Sequence, residues 1–186
     1  MLRAALLAVC VVLWTRQTSV SEGQTRRNPT PVADARICEV AVRPDTFNHK
    51  RIRLSGVVTQ EFENFTIADP ICSDAQNAAG IWLTFGGRVS PGVVYCCPGE
   101  GGRRRRPHDL IVDHLTIPLV EDAALASFVR LLRNNDQFAG RATLVGTFFA
   151  GQGSEKDPTG RGYGHLGCCA LFVIEQVEQI TPLSAR

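Results

Sequence analysis

The run Lys50-Arg51-Ile52-Arg53-Leu54-Ser55-Gly56-Val57-Val58 decides the fold. Ile52 and Leu54 alternate with Arg51, Arg53 and Ser55, the period-two pattern of a strand with one face inward. Gly56 interrupts the alternation before Val57 and Val58 resume it. A glycine inside a strand pattern predicts a bulge or bend, which lets one strand serve two sheets. Downstream, Phe65-Thr66-Ile67 reads as a second strand, ended by Asp69-Pro70. Ile81-Trp82-Leu83-Thr84-Phe85 reads as a third, with Ile81, Leu83 and Phe85 inward and Trp82 on the opposite face.

Farther along, residues 88–108 form an insertion rich in Gly, Pro and Arg, and Leu110-Ile111-Val112 is a short strand candidate beyond it. Glu121 to Asn134 predicts a helix, because Leu125, Phe128, Val129 and Leu132 recur at one-face spacing. Its acidic start and basic end, Arg130 and Arg133, suit the helix dipole. Ala142, Leu144, Gly146 and Phe148 alternate through a strand from Arg141 to Phe149, and Cys168 to Ile180 supplies the last strand. Upstream of the deciding run, Asp34 is placed to cap a short helix through Arg43, with Ile37, Val40 and Ala41 on one stripe and Pro44 closing it.

Many short strands with an inserted helix predict a small closed or partly closed barrel. Here the chain resembles the five-stranded OB-fold. The deciding run would be its bent first strand, and Phe138-Ala139-Gly140-Arg141-Ala142-Thr143-Leu144-Val145-Gly146 a late one. The expectation is a mainly β chain with two helices, one short and N-terminal and one between the third and fourth strands, where that fold usually carries one. The resemblance covers about residues 46–181. The segment Gly162-Tyr163-Gly164-His165-Leu166-Gly167-Cys168-Cys169 also looks like the ending of small exported bacterial proteins of uncharacterised function, a likeness that implies no activity.

Met1-Leu2-Arg3 followed by the apolar run Ala4 to Trp14 has the proportions of a secretory signal and is shorter than a bilayer span. Ser19-Val20-Ser21 offers small residues for cleavage, so the expected organisation is a signal at 1–21, a flexible lead-in at 22–33 and one domain at 34–182. The implied location is periplasmic or secreted. Lipid anchoring at Cys10 is a minor alternative, disfavoured by the bulky Val9 before it. The chain carries 20 Lys+Arg against 18 Asp+Glu, and Arg3 and Arg16 both fall in the leader, so the rest is formally neutral. That argues against a nucleic-acid partner.

Seven cysteines less Cys10 leave Cys38, Cys72, Cys96, Cys97, Cys168 and Cys169. An even set in an exported chain predicts disulfides of undetermined connectivity. The two adjacent pairs are expected to meet each other across neighbouring segments, because strain opposes a bond within a pair. Zinc is the competing reading, with Cys96, Cys97, Cys168, Cys169 and His165 as donors, although adjacent cysteines lack the usual ligand spacing. Low-pKa thiolates serving redox chemistry belong to the same alternative.

Gly162-Tyr163-Gly164-His165-Leu166-Gly167 matches a dinucleotide fingerprint by letter, but a strand follows it where the fingerprint requires a helix. No cofactor is expected. Arg103, Arg104, Arg105 and Arg106 could grip phosphate or form a solvated loop. Trp82 and Tyr163 could stack a ligand, and Trp82 could equally pack beneath the insertion. Asp109 and Asp113 share a strand face by period two. His49, His108 and His114 show no pattern, and no nucleophile–base–acid set stands out. The resulting expectation is an exported OB-like module binding an unidentified small ligand or protein without catalysis. Its candidate ligand residues are Trp82, Arg103 to Arg106, Tyr163 and His165. The alternative is a metal or thiol-redox protein.

Overall fold

The computed structural model describes residues 31–61, 64–72, 80–89, 105–134, 137–151, 162–164, 167 and 169–183. Pro31–Arg186 forms one compact unit. Within it, β1 (Ala33–Asp34), α1 (Ile37–Val42) and α2 (Pro44–Phe47) lead into β2 (Arg51–Glu61), β3 (Asn64–Ala68) and β4 (Ile81–Phe85). A hairpin follows, β5 (Leu110–Val112) and β6 (Leu115–Ile117), then α3 (Ala123–Asn134), β7 (Phe138–Phe149) and β8 (Leu171–Pro182).

The main sheet runs β1-β2-β3-β4-β8-β7, and β7 pairs back onto β2, so five strands close into a ring with β1 added outside it. Within the ring β4 and β8 run parallel and the other neighbours antiparallel. The mainly β architecture matches the sequence expectation. Closure depends on β2, which pairs with β7 from Arg51 to Gln60 and with β3 from Val57 to Glu61. One strand does serve two partners, but its register with β7 is unbroken through Gly56↔Ala142, so Gly56 is not a bulge. A Cβ at Gly56 would stand 2.5 Å from Ile37 Cδ1; the glycine makes room for α1 to lie on the strand. The register shifts fall instead between β7 and β8, at Thr143/Leu144 and Val145/Gly146.

The ring interior is filled by Ile52, Leu54, Val58, Leu144, Phe148, Phe172 and Ile174, all buried. Helix α3 brings Leu125, Phe128 and Leu132 onto it, and Phe128 lies 5.6 Å from Phe85, 6.3 Å from Phe65 and 6.1 Å from Phe138 between ring centroids. Asp122 caps this helix by accepting the Leu125 N–H at 2.9 Å. The helix starts at Ala123, so Glu121 precedes it and is free to pair with Arg105.

The N-terminal helix differs from expectation. Its N-cap is Arg36, with no side-chain cap, while Asp34 sits in β1 and binds Arg53 at 2.9 Å. Pro44 opens a second helix instead of closing the first, because proline at a first helical position loses no hydrogen bond. The described residues therefore hold three helices where two were expected. They also hold a β5–β6 hairpin whose second strand the sequence reading missed. Among the described residues no helix is long and apolar enough to cross a membrane.

Candidate functional site

Both faces of β4 are buried, and Trp82 is only 3% exposed. Its face of the ring carries a second apolar cluster, in which Trp82, Phe149, Leu171 and Val173 meet Leu110, Val112 and Ile117 of the hairpin and Tyr163 and Cys169 of the loop before β8. The loop rests directly on the indole. Gly164 has φ +76°, and a Cβ there would lie 2.6 Å from the Trp82 ring. Trp82 is thus packed beneath the hairpin and the loop before β8; residues 90–104 of the insertion expected to lie over it fall outside the described residues.

The hairpin turns through Asp113 and His114, with φ of 46° and 66°. Two successive positive φ values make a two-residue turn whose twist matches the flanking strands, normally built from Asn and Gly. Asp113 therefore lies in the turn and not on a strand face with Asp109. Its carboxylate meets two side chains from distant segments. His49 Nε2 lies 3.0 Å from Asp113 Oδ2, and the Tyr163 hydroxyl donates to the same oxygen at 3.4 Å. An ionised carboxylate only accepts, so Nε2 carries the proton in this bond.

His49 is itself held at φ 62° in the turn between α2 and β2. Its N–H donates to Phe148 O at 2.7 Å, and the preceding Asn48 Oδ1 accepts the Ala150 N–H at 2.9 Å. Its ring stands edge-on to Phe149 at 5.3 Å, and Phe149 contacts Tyr163 at 6.4 Å. Three segments remote in sequence thus converge: the turn before β2, the hairpin tip and the loop before β8. Two of the three polar ends are accessible, the His49 and Asp113 side chains at 44% and 48% exposed, while Tyr163 is buried. His49, Asp113 and His114 are the non-glycine residues with positive φ among those described. Such backbone costs free energy and gathers where surrounding structure holds it in place.

No protein-family model, curated protein or solved structure matches the chain.

The arginine run divides. Arg105 pairs with Glu121. Arg106 folds inward, where Nη1 donates to the carbonyls of Phe85 at 2.9 Å, Gly87 at 3.2 Å and Val89 at 2.7 Å. Burial pulls its pKa below the ordinary guanidinium value, and its carbonyl bonds staple the end of β4 to the returning insertion. Arg103, Arg104, His165, Cys96, Cys97 and Cys168 lie outside the described residues.

Among the remaining cysteines, Cys38 and Cys72 form a disulfide with Cα atoms 5.4 Å apart. Asp69 joins them in a cluster of donor type, but the bond occupies both sulfurs, and Asp69 Oδ1 accepts the Ile71 N–H at 3.0 Å. Cys169 is also disulfide-bonded, with a partner outside the described residues, and in that state supplies no thiolate to a metal.

A polar ladder runs along the strands near the hairpin. Glu175, with a side chain 7% exposed, accepts from Arg51 Nε and Thr147 Oγ1, each at 2.6 Å. Arg53 bridges Glu178 and Asp34, whose hydrogen bonds hold its pKa above the ordinary range. These groups are mutually satisfied, a structural role. His49 and Asp113 escaped the sequence reading because Asp-His is a poor turn signal and their contact spans 64 residues.

Proposed function

We propose that the chain is an exported, disulfide-tied OB-like module that recognises a small ligand or a protein without transforming it. The OB-like reading is supported by a closed order of five strands, with α3 following the third of them. Export accords with oxidised Cys38, Cys72 and Cys169, since disulfides persist in oxidising compartments. The observation that carries the binding reading is the convergence of His49, Asp113 and Tyr163 at one rim. Loops over a rigid frame are where recognition is commonly built. Recognition is accordingly moved from an open Trp82 face to this rim.

Heteronuclear NMR with a library of small polar and aromatic compounds tests the reading. Binders should perturb His49, Asp113, His114 and Tyr163 first. Perturbations confined to the α1 side of the molecule would refute the location. Intact mass of the exported protein, with and without reduction and alkylation, tests the compartment. A shortened chain with no alkylatable thiol is expected. Free thiols with bound zinc would replace this reading with the metal and thiol alternative.

A further inference from the structure

We infer that the Cys38–Cys72 disulfide is the closed form of a metal site: when a dithiol reductant opens it, Cys38, Cys72 and Asp69 take up one thiophilic divalent ion of the zinc class. The inference goes beyond the binding reading above and does not rest on it.

The three donors come from two segments. Cys38 stands on α1, and Asp69 and Cys72 stand just after β3. Their sulfurs and a carboxylate oxygen all lie within 4.8 Å of one another, and each residue is half-buried, so an ion can reach them from solvent. Asp69 is held by its own turn. Its Oδ1 accepts the Ile71 N–H and its main-chain oxygen accepts the Cys72 N–H, each at 3.0 Å. No described residue donates to Oδ2, which leaves that oxygen for an ion. Two thiolates and a carboxylate form a soft donor set that favours zinc over magnesium or calcium, with water filling a fourth position.

Bonded sulfurs cannot share an ion. Tetrahedral zinc holds each sulfur at about 2.3 Å, which sets the two roughly 3.8 Å apart. Cα atoms 5.4 Å apart allow that separation once each side chain is free to rotate. The backbone carrying the donors is fixed by contacts other than the disulfide. Ile37 and Val40 bury α1 in the main core, and the Ala35 N–H donates to Arg53 O at 3.0 Å. Cys72 packs against the same core, and its turn follows directly from β3, which is paired to β2. Opening the bond therefore leaves the donors near one another. The dithiol supplies two electrons and two protons and itself becomes a disulfide. The ion then displaces the two thiol protons to solvent as both sulfurs bind it. A coordinate tie between α1 and the end of β3 replaces the covalent one.

The test is alkylation of the full chain, read cysteine by cysteine through peptide mass mapping. The protein is reduced with a phosphine, which delivers the same two electrons without chelating zinc as a dithiol does, and zinc ion is then added. Cys38 and Cys72 should alkylate about tenfold more slowly with zinc than without it. Asp69→Asn keeps an acceptor for the Ile71 N–H and removes the carboxylate charge; it should need about tenfold more zinc for the same protection. In Cys38→Ser, zinc should no longer protect Cys72. Equal alkylation of Cys38 and Cys72 with and without zinc overturns the site. Protection unchanged in Asp69→Asn overturns the three-donor set. Circular dichroism follows the fold throughout, and β structure lost on reduction and not restored by zinc overturns the inference as well. Zinc protection confined to Cys96, Cys97, Cys168 and Cys169 overturns this site in favour of the zinc reading those cysteines suggested. If library compounds fail at the rim while Cys38 and Cys72 are protected, the proposed function falls and the metal site stands.

Discussion

Gly164 does its work by lacking a side chain. At φ +76°, with the Trp82 ring 2.6 Å from where a Cβ would be, alanine there must displace either the loop or the indole. Gly164→Ala should cost about 1–3 kcal/mol of unfolding free energy, read by chemical denaturation. Glu175 makes the opposite case, a residue defined by what it accepts. Truncating it leaves the Thr147 hydroxyl and Arg51 Nε without their 2.6 Å partner at a nearly buried position. Glu175→Ala should destabilise by about 2–3 kcal/mol. A double-mutant cycle with Arg51→Ala should return clear coupling, because both mutations remove one shared bond.

At the level of elements, α1 is joined to the ring twice. Ile37 packs where Gly56 leaves space, and Cys38 is bonded to Cys72 beyond β3. The bond spans 34 residues, for which chain-entropy reasoning gives about 4 kcal/mol as an upper scale. Replacing Cys38 and Cys72 together by alanine should lower stability by up to about 4 kcal/mol in equilibrium unfolding, without loss of β content by circular dichroism. Helix α3 is attached chiefly by packing, with Phe128 wholly buried among Phe65, Phe85 and Phe138 and Gln60 Nε2 donating to Leu132 O at 3.4 Å. Phe128→Ala should cost about 3–5 kcal/mol, more than any change on the exposed side of the helix.

For the whole molecule, disulfides tie segments outside the strands onto the ring. Cys38 and Cys72 close one link, and Cys169 belongs to another beside the Tyr163 bridge that covers Trp82. Peptide mapping under non-reducing conditions, after alkylation of free thiols, should return Cys38 linked to Cys72 and no alkylated Cys169. From the expectation that the adjacent pairs meet each other, Cys169 should map to a peptide carrying Cys96 and Cys97. Alkylated Cys169 in the folded protein would leave the loop over Trp82 without its second link.

Local pattern was enough for much of this protein. Alternation around Ile52 and Leu54 implied β2, one-face spacing implied α3, and the run Ile81 to Phe85 implied β4, because each repeats the period of its element within a few residues. Helix boundaries near Pro44 were less legible, since proline can end one helix or begin the next with the same φ. Gly56 could not be read correctly without knowing that Ile37 lies on it. Only the tertiary structure decided what covers Trp82, how the arginine run divides and where His49 meets Asp113. Each depends on segments far apart in sequence, and a period of two or 3.6 residues carries no information about such a contact. Sequence determined the elements and their inward faces; closure of the ring determined which outward faces would be covered and which polar groups would meet.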